Sequence, residues 1–307
     1  MKCYVGVDGG GTKTELIVCD ENGNILAREL GASSNPNDIG KEKMVSVIDA
    51  LIKKSLPATC DCADIGLGIS GISTDGGEEY LRKHIKQNPV FDKIYVCSDK
   101  DSCLNSAYEK DGAIVIMGTG NVAFVRKDNE VKQIAGGGYF LGDGLSGFDL
   151  GREVLNAVFE SEDGRGEQTF LTALFEQEVG ENIRQHLKKV YQQGKAYVAT
   201  FAKLIFKALA LGDRVAEKAL KRCVLEFEKT LNAVYRLMGE KQCEVTVFGG
   251  LTKQFDVIES FLSTDIKNKC VFKFPQNPIV YGVIKGFLLE EERAAFAENL
   301  IRSYAKL

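Results

Sequence analysis

The chain has 307 residues, 44% of them hydrophobic, enough for one large domain or two moderate ones with a substantial core. A formal net charge of -4 and the lack of any lysine or arginine run exclude the electrostatic footprint of a nucleic-acid binder. Apolar stretches such as 113–118 fall far short of the roughly 20 residues that span a bilayer, so no membrane association is expected.

The start, MKCYVGVDGGG, lacks an apolar run ending in a small-residue cleavage site, and a cytoplasmic location is the expectation. Strands are predicted at 4–7, 14–19 and 25–29, the last two joined by an Asn22-Gly23 hairpin signal, which makes an antiparallel meander. Residues 41–56 place Met44, Val47, Ile48, Leu51 and Ile52 on one helical face. A buried strand at 65–69, a polar helix near 76–87 and a strand at 93–97 ending in Ser98-Asp99 follow.

At Ala113 the opening arrangement starts again. A strand at 113–117, the turn Gly118-Thr119-Gly120-Asn121, a strand at 122–126, a polar turn at Lys127-Asp128-Asn129 and a strand at 131–135 repeat it in outline, so two similarly built lobes are expected. Beyond 138 the pattern is mostly helical, with a 3.6-residue period at 170–190, 197–211 and 214–238. A strand at 245–248 runs into Gly249-Gly250; another at 271–274, a proline turn at 275–278 and helices at 279–290 and 291–305 close the chain. The lobes are expected to span 1–110 and 111–288, with the segment 289–307 packing back on the first. Ordered joins near 108–113 and 286–290 suggest a hinged cleft.

Nine cysteines, an odd number and mostly inside apolar runs, read as buried thiols; only Cys60 and Cys62 are close, and His84 and His186 lie in separate polar stretches.

The first glycine turn carries the clearest chemistry. Gly9, Gly10 and Gly11 lack Cβ atoms where a ligand would approach the main chain, and they permit positive φ, so that N–H groups can converge on an anion. Thr12, Lys13 and Thr14 follow with polar side chains, and Asp8 at the strand end can hold a hydrated magnesium ion. A plain two-residue hairpin needs fewer glycines than this. Gly118, Thr119, Gly120 and Asn121 repeat the chemistry, and two such turns could close on one triphosphate. Neither is a GxxxxGK[ST] loop and neither opens a helix, which excludes P-loop and Rossmann readings. Gly249, Gly250 and Leu251, between a strand and a helix, could flank a flat base, though an ordinary strand-to-helix turn explains them equally well.

In order and spacing DGGGTKT, SD, GTG, GGGYFLGDGLSG and VFGGL resemble the N-acetylglucosamine kinases and related ATPases of the actin/hexokinase/sugar-kinase superfamily, over nearly the whole chain. The resemblance implies an α/β fold of two ribonuclease-H-like lobes around a nucleotide cleft, with ATP and magnesium between them, a small-molecule sugar as partner, and a homodimer. It implies phosphate transfer to the 6-hydroxyl of an amino sugar: N-acetylglucosamine, N-acetylmuramic acid or glucosamine. Asp99, at the end of a strand, matches the family's catalytic aspartate and would accept the hydroxyl proton. Asp101 is close enough to be mistaken for it, and the lesser alternative is that Ser98 or Asp99 is only the cap of a following helix. By the same resemblance Asn35, Gly136, Gly137 and Asp143 would hold sugar hydroxyls, with Ser70, Gly71 and Gly147 lining the same floor; an exposed turn is the plainer account of Asn35.

Two departures stand out. Where the amino-sugar kinases commonly show GWGYLLGDEGS, this chain has Gly137 in place of the indole and Gly144-Leu145 in place of Glu-Gly; the second phosphate turn ends in Asn121 rather than serine. The first change implies room for a bulkier acceptor such as the 3-O-lactyl sugar. The related ATPases that activate radical dehydratases form an alternative, but they carry cluster-binding cysteines in the second lobe, and residues 113–222 contain none. A non-catalytic nucleotide-dependent regulator is a third reading, against which stand Asp8 and Asp99.

Overall fold

The computed structural model describes residues 1–141 and 143–306; Gly142 of the GYFLGD segment and the terminal Leu307 lie outside the described residues. The chain divides into two compact units, Met1–Glu109 with Pro275–Leu307, and Lys110–Phe274.

Unit 1 is built on strands β1 (Lys2–Gly9), β2 (Thr14–Cys19), β3 (Ile25–Gly31), β4 (Cys62–Ile69) and β5 (Phe91–Cys97). They lie in the order β3-β2-β1-β4-β5, the meander antiparallel and β1, β4 and β5 parallel. Unit 2 repeats this with β6 (Gly112–Met117), β7 (Asn121–Lys127), β8 (Glu130–Ala135), β9 (Cys243–Phe248) and β10 (Cys270–Lys273), in the order β10-β9-β6-β7-β8. Central strands are buried on both faces and read as continuous apolar runs, whereas the edge strand β8 is exposed almost throughout and carries glutamate, lysine and glutamine. The polar turn before β8 has φ of 52° at Asp128 and 67° at Asn129, the type I′ geometry whose twist suits a hairpin.

Helices of unit 1 are α1 (Pro36–Ile39), α2 (Lys41–Ser55), α3 (Gly77–Ile85) and α4 (Asp99–Ala107), and those of unit 2 are α5 (Gly147–Asp163), α6 (Phe170–Val179), α7 (Ile183–Ala199), α8 (Ala202–Ala210), α9 (Arg214–Met238), α10 (Phe255–Phe261) and α11 (Thr264–Lys269). The chain then returns to unit 1 with α12 (Ile279–Ile284) and α13 (Arg293–Tyr304). No helix among the described residues is long and apolar enough to cross a membrane.

Several elements differ from the sequence expectation for local physical reasons. The helical period at 170–190 is two helices, because Gly180 adopts φ 80° as the cap of α6 and Asn182 then caps α7. Helix α7 is itself broken at Gly194, with φ 68° and ψ -159°. Helix α5 starts from a capping box in which Ser146 and Asp149 satisfy each other's backbone N–H groups.

The second lobe, expected to run to 288, ends at Phe274. Residues 275–288 belong to unit 1 because α12 seats on β1, β4 and α4. Gly282 makes this approach feasible: a Cβ there would lie 2.0 Å from the Ser102 carbonyl oxygen of α4. One core of unit 1 joins α2, α3 and one sheet face; a second joins Tyr4, Ile17 and Cys19 to Val280, Ile284, Phe296 and Leu300. Unit 2 has one continuous core running from the sheet into α5, α6, α8 and α9.

Candidate active site

In unit 1 the β1–β2 turn closes with the Gly10 amide donating to Lys13 O at 2.9 Å. None of Gly9, Gly10 and Gly11 has positive φ, so the expectation that these glycines serve left-handed backbone is corrected. The requirement at Gly9 is for space: a Cβ would come within 2.2 Å of Ser34 Oγ and 2.6 Å of Ile69 Cδ1. Gly11, Thr12 and Lys13 are exposed at the tip. Thr14 is a second correction. It is fully buried, and its hydroxyl donates to Ala32 O at 2.6 Å and is hydrogen-bonded to the Ser34 hydroxyl at 2.8 Å, so it braces β2 against the chain leaving β3 instead of facing a ligand.

The same turn collects the other expected residues of unit 1. Gly9 O accepts from the Ser70 amide at 2.7 Å, and Gly10 O accepts from the Ser34 amide at 3.2 Å and Ser33 Oγ at 3.1 Å. Asn35 is the cap of α1, its Oδ1 accepting from the Asn37 amide at 2.9 Å, and it also lies beside Gly71 and Gly11. Asp38, which sequence reasoning passed over, brings its carboxylate up to Gly11.

Asp99 occupies the first position of α4, not the cap. Ser98 is the cap, and Asp101 completes the box, its Oδ2 accepting from the Ser98 amide at 3.4 Å and from Ser98 Oγ at 2.7 Å. Asp99 is thereby relieved of capping the helix: its Oδ1 accepts from the Lys100 amide at 3.0 Å, and it is half-buried. Its charge is felt at Asp8, whose pKa is pushed up to about 7, first by burial, then by the carboxylates of Glu15 and Asp99, against a smaller opposing effect of Lys13. Glu15 is pinned by Arg28 Nε at 2.6 Å and Tyr304 Oη at 2.5 Å. Asp8 therefore sits among like charges, an environment that a divalent cation would relieve.

Unit 2 gathers its own glycine elements. In the β6–β7 turn the Gly118 amide donates to Gly120 O at 2.9 Å, while Gly118 O accepts from the Gly147 amide at 2.8 Å and Thr119 O from the Phe148 amide at 3.0 Å. The start of α5 thus locks the turn. Gly249 packs on the end of β6, where a Cβ would lie 2.3 Å from Met117 O, and Gly250 and Leu251 open a 3₁₀ turn. Asp143 is buried, with its Oδ1 accepting from the Gly138 amide at 2.9 Å and its Oδ2 against Gly120. It thereby joins the 136–138 segment to the β6–β7 turn. Gly136 ends β8 against Val122, and the space over Gly137 is partly covered by Leu141.

Asn121 is a third correction. Its side chain is buried, Nδ2 donating to Leu145 O at 3.3 Å while Oδ1 has no partner among the described residues. The departures at Asn121 and Gly144-Leu145 are therefore one feature: Leu145 is core, Gly144 turns with φ 65°, and Asn121 holds the carbonyl between that turn and α5.

The model of the BadF/BadG/BcrA/BcrD ATPase family matches residues 5–284. An N-acetylmuramic acid/N-acetylglucosamine kinase of Clostridium acetobutylicum is 28% identical over 301 residues, covering 92% of this chain and 97% of the relative. An N-acetyl-D-glucosamine kinase of Dictyostelium discoideum is 25% identical, covering 86% and 89%. Among solved structures, a chain from Chromobacterium violaceum provisionally named an N-acetylglucosamine kinase superposes with TM-score 0.74 at 25% identity, over 93% of this chain and 98% of the other.

Proposed function

The chain belongs to the BadF/BadG/BcrA/BcrD ATPase family, and from that premise we propose that it is an ATP-dependent kinase transferring the γ-phosphate to the 6-hydroxyl of an amino sugar, N-acetylglucosamine or N-acetylmuramic acid. The observation that carries this reading is the division of labour at the start of α4. Ser98 and Asp101 cap the helix, which leaves the Asp99 carboxylate at a strand end to take a proton. Asp99 is the general base in this reading, accepting the 6-hydroxyl proton as the oxygen attacks phosphorus in line; positioning and charge neutralisation supply the rest of the acceleration.

The backbone of Gly9, Gly10 and Gly11 with the side chains of Thr12 and Lys13, and the backbone of Gly118, Thr119 and Gly120, are assigned to the nucleotide phosphates. Gly249, Gly250 and Leu251 are assigned to the adenosine. Asn35, Ser70, Gly71, Gly136, Gly137, Asp143 and Gly147 are assigned to the sugar or its support. Asp8 fits a magnesium ion held through water, since burial and two neighbouring carboxylates already disfavour its lone charge. When bound, magnesium neutralises charge building on the β- and γ-phosphates. A cytoplasmic location suits such an enzyme, because ATP is its co-substrate.

Replacing Asp99 by Asn tests the assignment. Turnover of N-acetylglucosamine should fall by about 10²- to 10⁴-fold with ATP affinity by calorimetry unchanged. Turnover equal to that of the unmodified protein would remove Asp99 from the role.

A further inference from the structure

Unit 2 holds a cavity of about 660 Å³ between α5 and α7 that none of the assignments above uses. Tyr139 is on its wall and follows directly on Gly138, whose amide binds Asp143, so the cavity continues from the segment assigned to the sugar. The wall is an aromatic row with a cation at its end: the Tyr139 ring is 5.1 Å from that of Phe148, and the Arg152 guanidinium lies 5.9 Å from the Phe148 ring centre. Leu155, Leu187 and Lys195 line it further along, and Glu160 is an acid on the same wall.

Arg152 is lightly engaged. Its guanidinium comes within 3.5 Å of Asp149 Oδ1, while the other oxygen of that carboxylate is taken up by Ser146. The Arg152 side chain is 46% exposed. A guanidinium carries five donors in a planar fork that matches a carboxylate, and a flanking aromatic face holds the fork in place. The row therefore offers apolar surface followed by a reader of negative charge.

On the amino-sugar reading, on which this rests, we propose that the cavity takes a carboxylate-bearing substituent of the acceptor, such as the ether-linked lactyl group of N-acetylmuramic acid, and that Arg152 recognises its carboxylate. The methyl and ether carbons of the group lie along Tyr139 and Phe148. N-acetylglucosamine lacks the group and leaves the cavity to water, so Arg152 determines specificity without taking part in phosphoryl transfer.

The test compares three acceptors, N-acetylglucosamine, N-acetylmuramic acid and the neutral carboxamide of the latter, with unmodified protein, R152M and R152K. In the unmodified protein the acid should be preferred over its carboxamide. In R152M the kcat/KM ratio of N-acetylmuramic acid to N-acetylglucosamine should drop by about 10- to 100-fold, as expected for loss of a charge-assisted hydrogen bond, and the preference over the carboxamide should vanish. R152K should keep part of both. The proposal is overturned if the unmodified protein phosphorylates N-acetylglucosamine but treats acid and amide alike, or if R152M lowers all three acceptors by one factor. If no amino sugar is phosphorylated at all, the amino-sugar reading itself falls, and the subsite with it.

Discussion

Thr12 and Thr14 stand two residues apart in one glycine turn, yet only Thr12 is exposed. T14V strands the Ala32 carbonyl and Ser34 hydroxyl it now binds, and should lower stability by about 1–3 kcal/mol. T12A should leave the melting temperature in place and raise KM for ATP; thermal unfolding beside ADP-release kinetics separates the two. Asp8 makes a pH prediction. Its folded pKa of about 7 lies above the ordinary 3.8, so the folded chain holds this proton more tightly than the unfolded one. Stability from this group is therefore present below 3.8, falls as pH rises to about 7, and stays lost above. Without nucleotide or magnesium, D8N should gain on the unmodified protein at about pH 8 and lose that advantage at about pH 4.5 in denaturant melts. The sequence could nominate Asp8 and Asp99 from their places at strand ends. It chose Asp99 over Asp101 only by resemblance, and it could not show that Asp101 serves the helix cap or that Thr14 and Asn121 point inward, because those outcomes depend on which neighbour completes a hydrogen bond.

Strands and hairpins were the most legible elements. Their signals are local: buried apolar runs, the glycine turns, and a polar pair at Asp128-Asn129. Helix α5 was expected only as part of the mostly helical stretch beyond 138, and its start is set by the Ser-x-x-acid spacing of Ser146 and Asp149. Helix α12 was placed in the wrong unit because its partners, β1, β4 and α4, are distant in sequence. Its close seating suggests a sharp test. G282A drives a methyl into the Ser102 carbonyl and should destabilise by about 1–3 kcal/mol, while G286A, with open space around it, should melt like the unmodified protein. Because Ser102 is on the helix that begins with Asp99, G282A should also reduce turnover in protein that remains folded.

At the scale of the whole molecule, one strand order occurs twice, β3-β2-β1-β4-β5 and β10-β9-β6-β7-β8, and each first hairpin carries glycines and a threonine at its turn. That repeat was visible in the sequence as two cycles of strand, glycine turn, strand, polar turn and strand. The return of α13 to unit 1, tied down by Arg28 Nη2 donating to Tyr304 Oη at 2.9 Å, was expected only in outline, since no local signal pairs residues so far apart. Which acceptor is used depends on side chains that no fold-level repeat specifies. The central claim is that ATP's γ-phosphate goes to an amino sugar, and identifying the product tests it most directly. Incubation with ATP, magnesium and N-acetylglucosamine, followed by mass spectrometry and phosphorus NMR, should yield a sugar monophosphate esterified at O6 together with an equal amount of ADP. ADP and free phosphate with the sugar unchanged, or no consumption of ATP, would contradict it.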